Sequence, residues 1–157
     1  MNIKLITIGK TDNKNLQSLI DEYKKRLSFY VKFELEIIPD IKNVKNLSEA
    51  QQKEKEGELI LSKIVPTDHL ILLDENGKTF SSVGFSEFLQ KKMNAGIKTL
   101  VFVIGGPYGF SETVYKQAVG KVSLSEMTFS HQMVRLFIIE QIYRGFTILR
   151  NEPYHHQ

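Results

Sequence analysis

Thr99-Leu100-Val101-Phe102-Val103-Ile104 runs straight into Gly105-Gly106-Pro107-Tyr108-Gly109. An unbroken apolar and β-branched run closed by glycine and proline is a strand covered on both faces, because a half-exposed strand alternates apolar with polar residues. Outward toward the N-terminus, Phe85–Asn94 reads as a helix closed by Ala95-Gly96, and His69–Leu73 as a short strand ending at the turn Asp74-Glu75-Asn76-Gly77-Lys78. Outward toward the C-terminus come a short helix over Ser111–Val119, a short strand over Lys121–Leu124 and a long helix over His131–Leu149. The first third continues the pattern, with strand Ile3–Gly9, helix Asn15–Tyr30, strand Phe33–Ile38, a polar loop over Asp40–Leu47 and helix Ser48–Ile64. Such alternation predicts one α/β domain over residues 1–157, with a mostly parallel sheet covered by helices on both faces.

Composition narrows the chemistry. The 157 residues include no Cys, which excludes a disulfide scaffold, a thiolate zinc site and a cysteine nucleophile. The net charge of +3 is spread evenly along the chain, without a basic tail or lysine tract, so any nucleic-acid surface must be gathered by folding or oligomerisation. Met1–Gly9 has no basic n-region, and no stretch approaches a membrane span, so the expected location is the cytoplasm with no membrane partner. Met133, Leu136, Phe137, Ile138, Ile139, Ile142 and Tyr143 leave the last helix almost no polar face. One sheet covers only one side of such a helix, and a second copy of the chain in a homodimer is the expected cover for the rest, the plain alternative being a central core helix under long loops.

The glycines exclude two common ligand sites. Gly9-Lys10-Thr11 lacks the earlier glycine of a P-loop, whose place Lys4 takes. Gly105-Gly106-Pro107-Tyr108-Gly109 has the wrong spacing for a dinucleotide fingerprint, and Pro107 removes an N–H that a phosphate would use. No His, Asp and Glu residues have metal-ligand spacing. Three loops nevertheless follow strand ends: Leu73–Lys78, Gly105–Gly109 and Leu124–Ser130. Together they suit a pocket of backbone and apolar walls for a neutral, planar, hydrogen-bonding group such as adenine. The plain alternative for the glycines is a tight strand-to-helix turn.

These same loops carry a resemblance. Val103-Ile104-Gly105-Gly106-Pro107-Tyr108-Gly109, Leu124–Arg135, Glu140-Gln141-Ile142-Tyr143-Arg144 and Asn151-Glu152-Pro153-Tyr154-His155 resemble the RlmH family, bacterial 23S (large-subunit) rRNA pseudouridine-N3 methyltransferases of the SPOUT superfamily. The resemblance covers the whole chain and is most specific over residues 100–156. It implies a C-terminal deep trefoil knot, a homodimer, S-adenosyl-L-methionine as cofactor and large-subunit rRNA in the ribosome as partner. It also implies that Leu73, Gly105, Leu124, Ser125, Glu126, Met127, Thr128 and Phe129 bind the cofactor.

The acceptor in that reaction is an imide nitrogen that must lose its proton and lie in line with the S–CH3 bond. Candidates to contact the base are His155, which exchanges protons near neutral pH, Tyr154, which can stack on a base, and Arg144, which can meet a phosphate or a base carbonyl. Glu140 stands four residues before Arg144, so an ordinary intrahelical ion pair is an equal reading for that arginine. Pro153 is expected to end the long helix and direct the tail toward a pocket, its own or a partner's. A ribosome-associated binding protein with little catalysis and a nucleotide-binding oxidoreductase remain the competing classes, and the missing dinucleotide fingerprint weighs against the second.

Overall fold

A computed structural model describes residues 1–156. The elements in chain order are β1 (Asn2–Ile8), α1 (Lys14–Leu27), β2 (Lys32–Ile38), α2 (Glu49–Leu61), β3 (Asp68–Thr79), α3 (Ser82–Asn94), β4 (Thr99–Ile104), α4 (Glu112–Gln117), β5 (Gly120–Ser123) and α5 (His131–Leu149). A single 3-10 turn, Val44–Asn46, interrupts the polar loop before α2. The five strands form one parallel sheet in the order β2-β1-β4-β3-β5, with β4 between β1 and β3.

Handedness distributes the helices. The crossovers β1-α1-β2 and β3-α3-β4 step across the sheet in one direction, and right-handed connections place α1 and α3 on one face. The crossovers β2-α2-β3 and β4-α4-β5 step the other way, which places α2 and α4 on the opposite face. The side chains of β4 follow this division. Leu100, Phe102 and Ile104 pack with Leu16 and Ile20 of α1, Phe85 and Leu89 of α3, and Ile138, Ile139 and Ile142 of α5. Val101 and Val103 pack with Ile60 of α2 and Val114 of α4. The apolar run therefore serves two cores at once, as expected for a central strand.

Capping sets the helix starts. Ser48 and Gln51 form a reciprocal capping box at α2. Ser81 caps α3 by accepting from the Gly84 N–H, so that helix begins three residues before the expected Phe85. The other end of the chain departs from expectation too. Asn151, at φ 56°, ends α5, with the N–H of Asn151 bonded to the Ile148 carbonyl and that of Glu152 to the Thr147 carbonyl. This Schellman arrangement stops the helix before Pro153, which lies in the tail beyond it. The strand expected to stop at Leu73 bulges over residues 74–77 and pairs again through Lys78 and Thr79 with Val122 and Ser123. Gly77 permits this return, since a Cβ there would sit 2.6 Å from the Val122 backbone.

The cover of α5 differs from the sequence argument as well. Both α1 and α3 pack along it, and Ile138, Ile139 and Ile142 are completely buried within one chain. The sheet, α1 and α3 together provide most of the shielding that the apolar pattern assigned to a second subunit. Met133 and Met127 keep exposed apolar surface at the N-terminal end of the helix and in the loop before it. No helix among the described residues is long and apolar enough to cross a membrane.

Phe102 is fully buried at the centre of the larger core. Phe102→Ala is expected to destabilise the protein by about 3–5 kcal/mol, because the void cannot collapse between sheet and helices. Denaturant unfolding checks this through a lower midpoint at an unchanged slope.

Candidate functional site

The chain leaves β4 toward the α2 and α4 face, whereas β1, β3 and β5 are followed by helices on the other face. Where neighbouring exits diverge, the carboxyl ends of a parallel sheet open into a crevice. A cavity of about 470 Å³ occupies this place, inside the roughly 300–1,000 Å³ range of small-molecule sites. Its floor is Leu73, Ile104 and Val122, one side is the loop Gly105–Phe110, and the roof is Ser123–Ser125 with Met127, Thr128 and Phe129. His131 and Val134 from the start of α5 close one end.

Each wall has a local cause. Gly109 adopts φ 81°, and its N–H bonds back to the Gly106 carbonyl at 3.2 Å, which folds the glycine loop into a tight turn. A Cβ at Gly105 would lie 3.1 Å from the Phe110 ring, so any side chain there must shift that ring inside the loop. The roof is shaped by its serines: Ser123 donates to the Ser125 carbonyl, and the Ser125 hydroxyl accepts from the Met127 N–H, both at 2.9 Å. The roof runs back from β5 across the ends of β3 and β4. Its far end is tied beyond β1, where Gln132 accepts from the Asp12 N–H and Arg135 donates to the Ile8 carbonyl and the Thr11 hydroxyl. Across the mouth, the Tyr115 hydroxyl donates to Asp74. Burial first, and then this bond, push the Tyr115 phenol up to about 12.

Seven of the eight residues expected to bind a cofactor line the cavity: Leu73, Gly105, Leu124, Ser125, Met127, Thr128 and Phe129. Glu126, an exposed residue of the same loop, is not among the lining residues. The cavity also takes in Asp74, Glu75, Tyr108, Phe110 and Tyr115. Asp74 and Glu75 were legible as part of a strand-end turn; Tyr115 was not, since its role depends on α4 leaning over the crevice.

The expected base-contacting residues meet one another but not the cavity. Arg144 pairs with Glu140 at 2.6 Å, as the helical spacing allows, and its Nη1 donates to His155 Nδ1 at 3.1 Å. Tyr154 donates to Glu140 at 2.9 Å, shares a hydrogen bond with Tyr23 at 3.0 Å and packs edge-on against Tyr143. Glu152 accepts from Tyr30 and holds the same tail from its other side. Along α5, Arg144 lies thirteen residues beyond His131, a rise of roughly 20 Å at about 1.5 Å per residue. A second cavity, about 280 Å³, shares Leu124 and Phe129 with the first and extends past Phe137 to Glu140 and Gln141. It leads from the roof toward the tail cluster.

A parallel sheet with a small-molecule crevice over its switch strand, roofed by the segment that returns to the last helix, defines an α/β enzyme domain of the cofactor-binding kind. The family described as "Predicted SPOUT methyltransferase" matches residues 1–155. The chain belongs to the SPOUT methyltransferase family, and the family's name implies a methyl donor as the cofactor. It is 87% identical over 157 residues to the ribosomal RNA large subunit methyltransferase H of Flavobacterium johnsoniae, with both chains covered completely. The proteins of that name from Flavobacterium psychrophilum and Christiangramia forsetii are 85% and 68% identical, again over the full length of both chains.

The tail cluster has a defined pH response. The hydrogen bond to Glu152, followed by burial, raises the Tyr30 phenol to about 12, and burial with the Tyr23 and Glu140 bonds raises Tyr154 further. Raised phenol pKa values favour the folded state at pH values below the ordinary phenol value, and the effect is lost as pH climbs through the folded value. Tail docking is therefore expected to hold at pH 9 and to release as pH rises from about 10 toward about 12. Ultraviolet phenolate titration checks this: Tyr30→Phe should remove one late-titrating tyrosine, whereas an unchanged late phase would contradict the assignment.

Proposed function

We propose that this chain transfers the methyl group of S-adenosyl-L-methionine to N3 of a pseudouridine in 23S (large-subunit) rRNA, working on the assembled ribosome as a cytoplasmic homodimer of single-domain subunits. The crevice over β4 carries the reading, because full-length relatives named as large-subunit rRNA methyltransferases share this chain's sequence from end to end. The pseudouridine and its N3 come from the family resemblance. So does the deep trefoil knot, which the return of residues 124–130 across the sheet would form.

The cavity suits the donor. Apolar Leu73, Ile104, Leu124 and Val134 with the Phe129 ring can enclose a flat heterocycle, and the backbone of the roof and glycine loop offers it hydrogen bonds. Asp74 and Glu75 at the mouth bring negative charge toward a cationic donor. The bound donor supplies an already activated methyl group. The chain's own part is to hold donor and acceptor in line, a positioning effect that can supply most of the rate.

Acceptor contacts come from the tail. Because Arg144 donates to His155 Nδ1, the neutral ring carries its proton on Nε2 and presents a donor there. Such a donor suits a base carbonyl as imide charge develops, while water takes the N3 proton. Arg144 orients His155, and Tyr154 is held by Glu140 with its ring against Arg144 and Tyr143. The ~20 Å of helix between this cluster and the cavity of the same chain is bridged in a two-fold dimer with α5 antiparallel to its partner. The tail of one subunit then serves the crevice of the other.

Gly105→Val is expected to abolish donor binding by displacing Phe110 and the glycine loop, read by calorimetric titration with S-adenosyl-L-methionine. His155→Ala should leave donor affinity within about twofold and lower methylation about 100-fold or more, read by mass-spectrometric mapping of 23S rRNA. Mixing the two variants should restore roughly a quarter of wild-type activity, since half of the pairs are mixed and each holds one complete site. No restoration after subunit exchange would mean that each chain completes its own site.

A further inference from the structure

Helix α2 is polar along most of its length, Glu49 to Glu58 including six charged side chains, yet Glu56 is only 3% exposed. A lone carboxyl buried in a helix that has solvent available on its other side needs a partner or a purpose. Its Oε1 has no hydrogen-bond partner among the described residues. What lies against it is the glycine loop: a Cβ on Gly106 would stand 2.4 Å from both carboxyl oxygens. Gly106, unlike Gly109, has no left-handed backbone torsion. It is a glycine for want of space, and the space is taken by Glu56. The next residue repeats the contact at the far end of the loop, where a Cβ on Gly57 would stand 2.5 Å from the Ser111 hydroxyl that caps α4. Residues 56 and 57 thus underlie both ends of the segment whose opposite surface lines the donor cavity, and Glu56 itself does not reach that cavity.

We propose that Glu56 is a positioning residue for methyl-donor binding, its buried carboxyl forming the floor that sets the shape of the Gly105–Gly109 loop. The inference rests on the donor assignment made above. The carboxyl acts through packing and hydrogen bonding rather than through charge. Burial pushes its pKa up and so favours the neutral acid, with Asp40 adding to this and a bond from Gln52 opposing it. A glutamine, of the same shape and likewise both donor and acceptor, should serve in its place.

The test measures donor affinity and turnover in the full-length protein carrying Glu56→Ala, Glu56→Gln or, as an exposed control on the same helix, Glu58→Ala. Glu56→Ala should weaken S-adenosyl-L-methionine binding about tenfold and raise its KM to match, with kcat at saturating donor within about threefold. Glu56→Gln should stay within about threefold of wild type, and Glu58→Ala should be unchanged. A folded Glu56→Ala protein with wild-type affinity overturns the proposal, as does a Glu56→Gln protein as weak as the alanine variant. A cycle decides the matter if Glu56→Ala does not fold. Gly106→Ala should weaken the donor, and shortening the acid by Glu56→Asp should relieve part of that loss, whereas additive effects overturn the contact. Failure of the wild-type protein to bind the donor at all would instead overturn the donor assignment.

Discussion

The direction in which the chain leaves β4 governs the rest of the site. Its neighbours β1 and β3 lead to the layer of α1, α3 and α5, while Ile104 leads through the glycine loop to the layer of α2 and α4. Right-handed crossovers make that divergence unavoidable for the strand order found here. The crevice is consequently a product of topology, and the sequence need only keep it open. Gly109 does so through its backbone torsion, Gly105 and Gly106 through the side chains they leave room for, and Leu124–Phe129 by passing overhead without filling the space.

The same constraint separates two chemistries. The proposed donor site belongs to strand ends and backbone, anchored where both cores converge on β4. The proposed acceptor contacts belong to the tail, held by Glu140, Arg144 and three tyrosines against α1 and α5. The charge of the 157 residues is not concentrated in one segment. The proposed pairing of subunits would gather both the basic groups and the two halves of the proposed site.

The amino-acid pattern exposed the parts of the fold that depend on local rules. β4 and α5 read to the residue, because a fully buried strand and a serine-capped apolar helix carry strong short-range signals. The three loops around the cavity were legible as strand ends rich in glycine and small polar residues. What escaped depends on distant partners. The second pairing of β3 requires β5 beside it, and the cover of α5 by α1 and α3 follows from strand order rather than helical period. Tyr115 joins the cavity only because Asp74 faces it across the mouth, and Glu56 looks like one more solvated charge until Gly106 is seen resting on it. The end of α5 was placed correctly but for the wrong reason: the stop comes from Asn151 in the left-handed conformation that asparagine tolerates, not from the proline two residues on.

A crystal structure of the protein grown with S-adenosyl-L-methionine addresses the central claim most directly. The account requires the donor between the Gly105–Gly109 loop and the Leu124–Phe129 roof, its sulfonium methyl facing the His155 tail of a partner subunit. Donor bound anywhere else, or a crevice that stays closed by its own side chains at saturating donor, would contradict it.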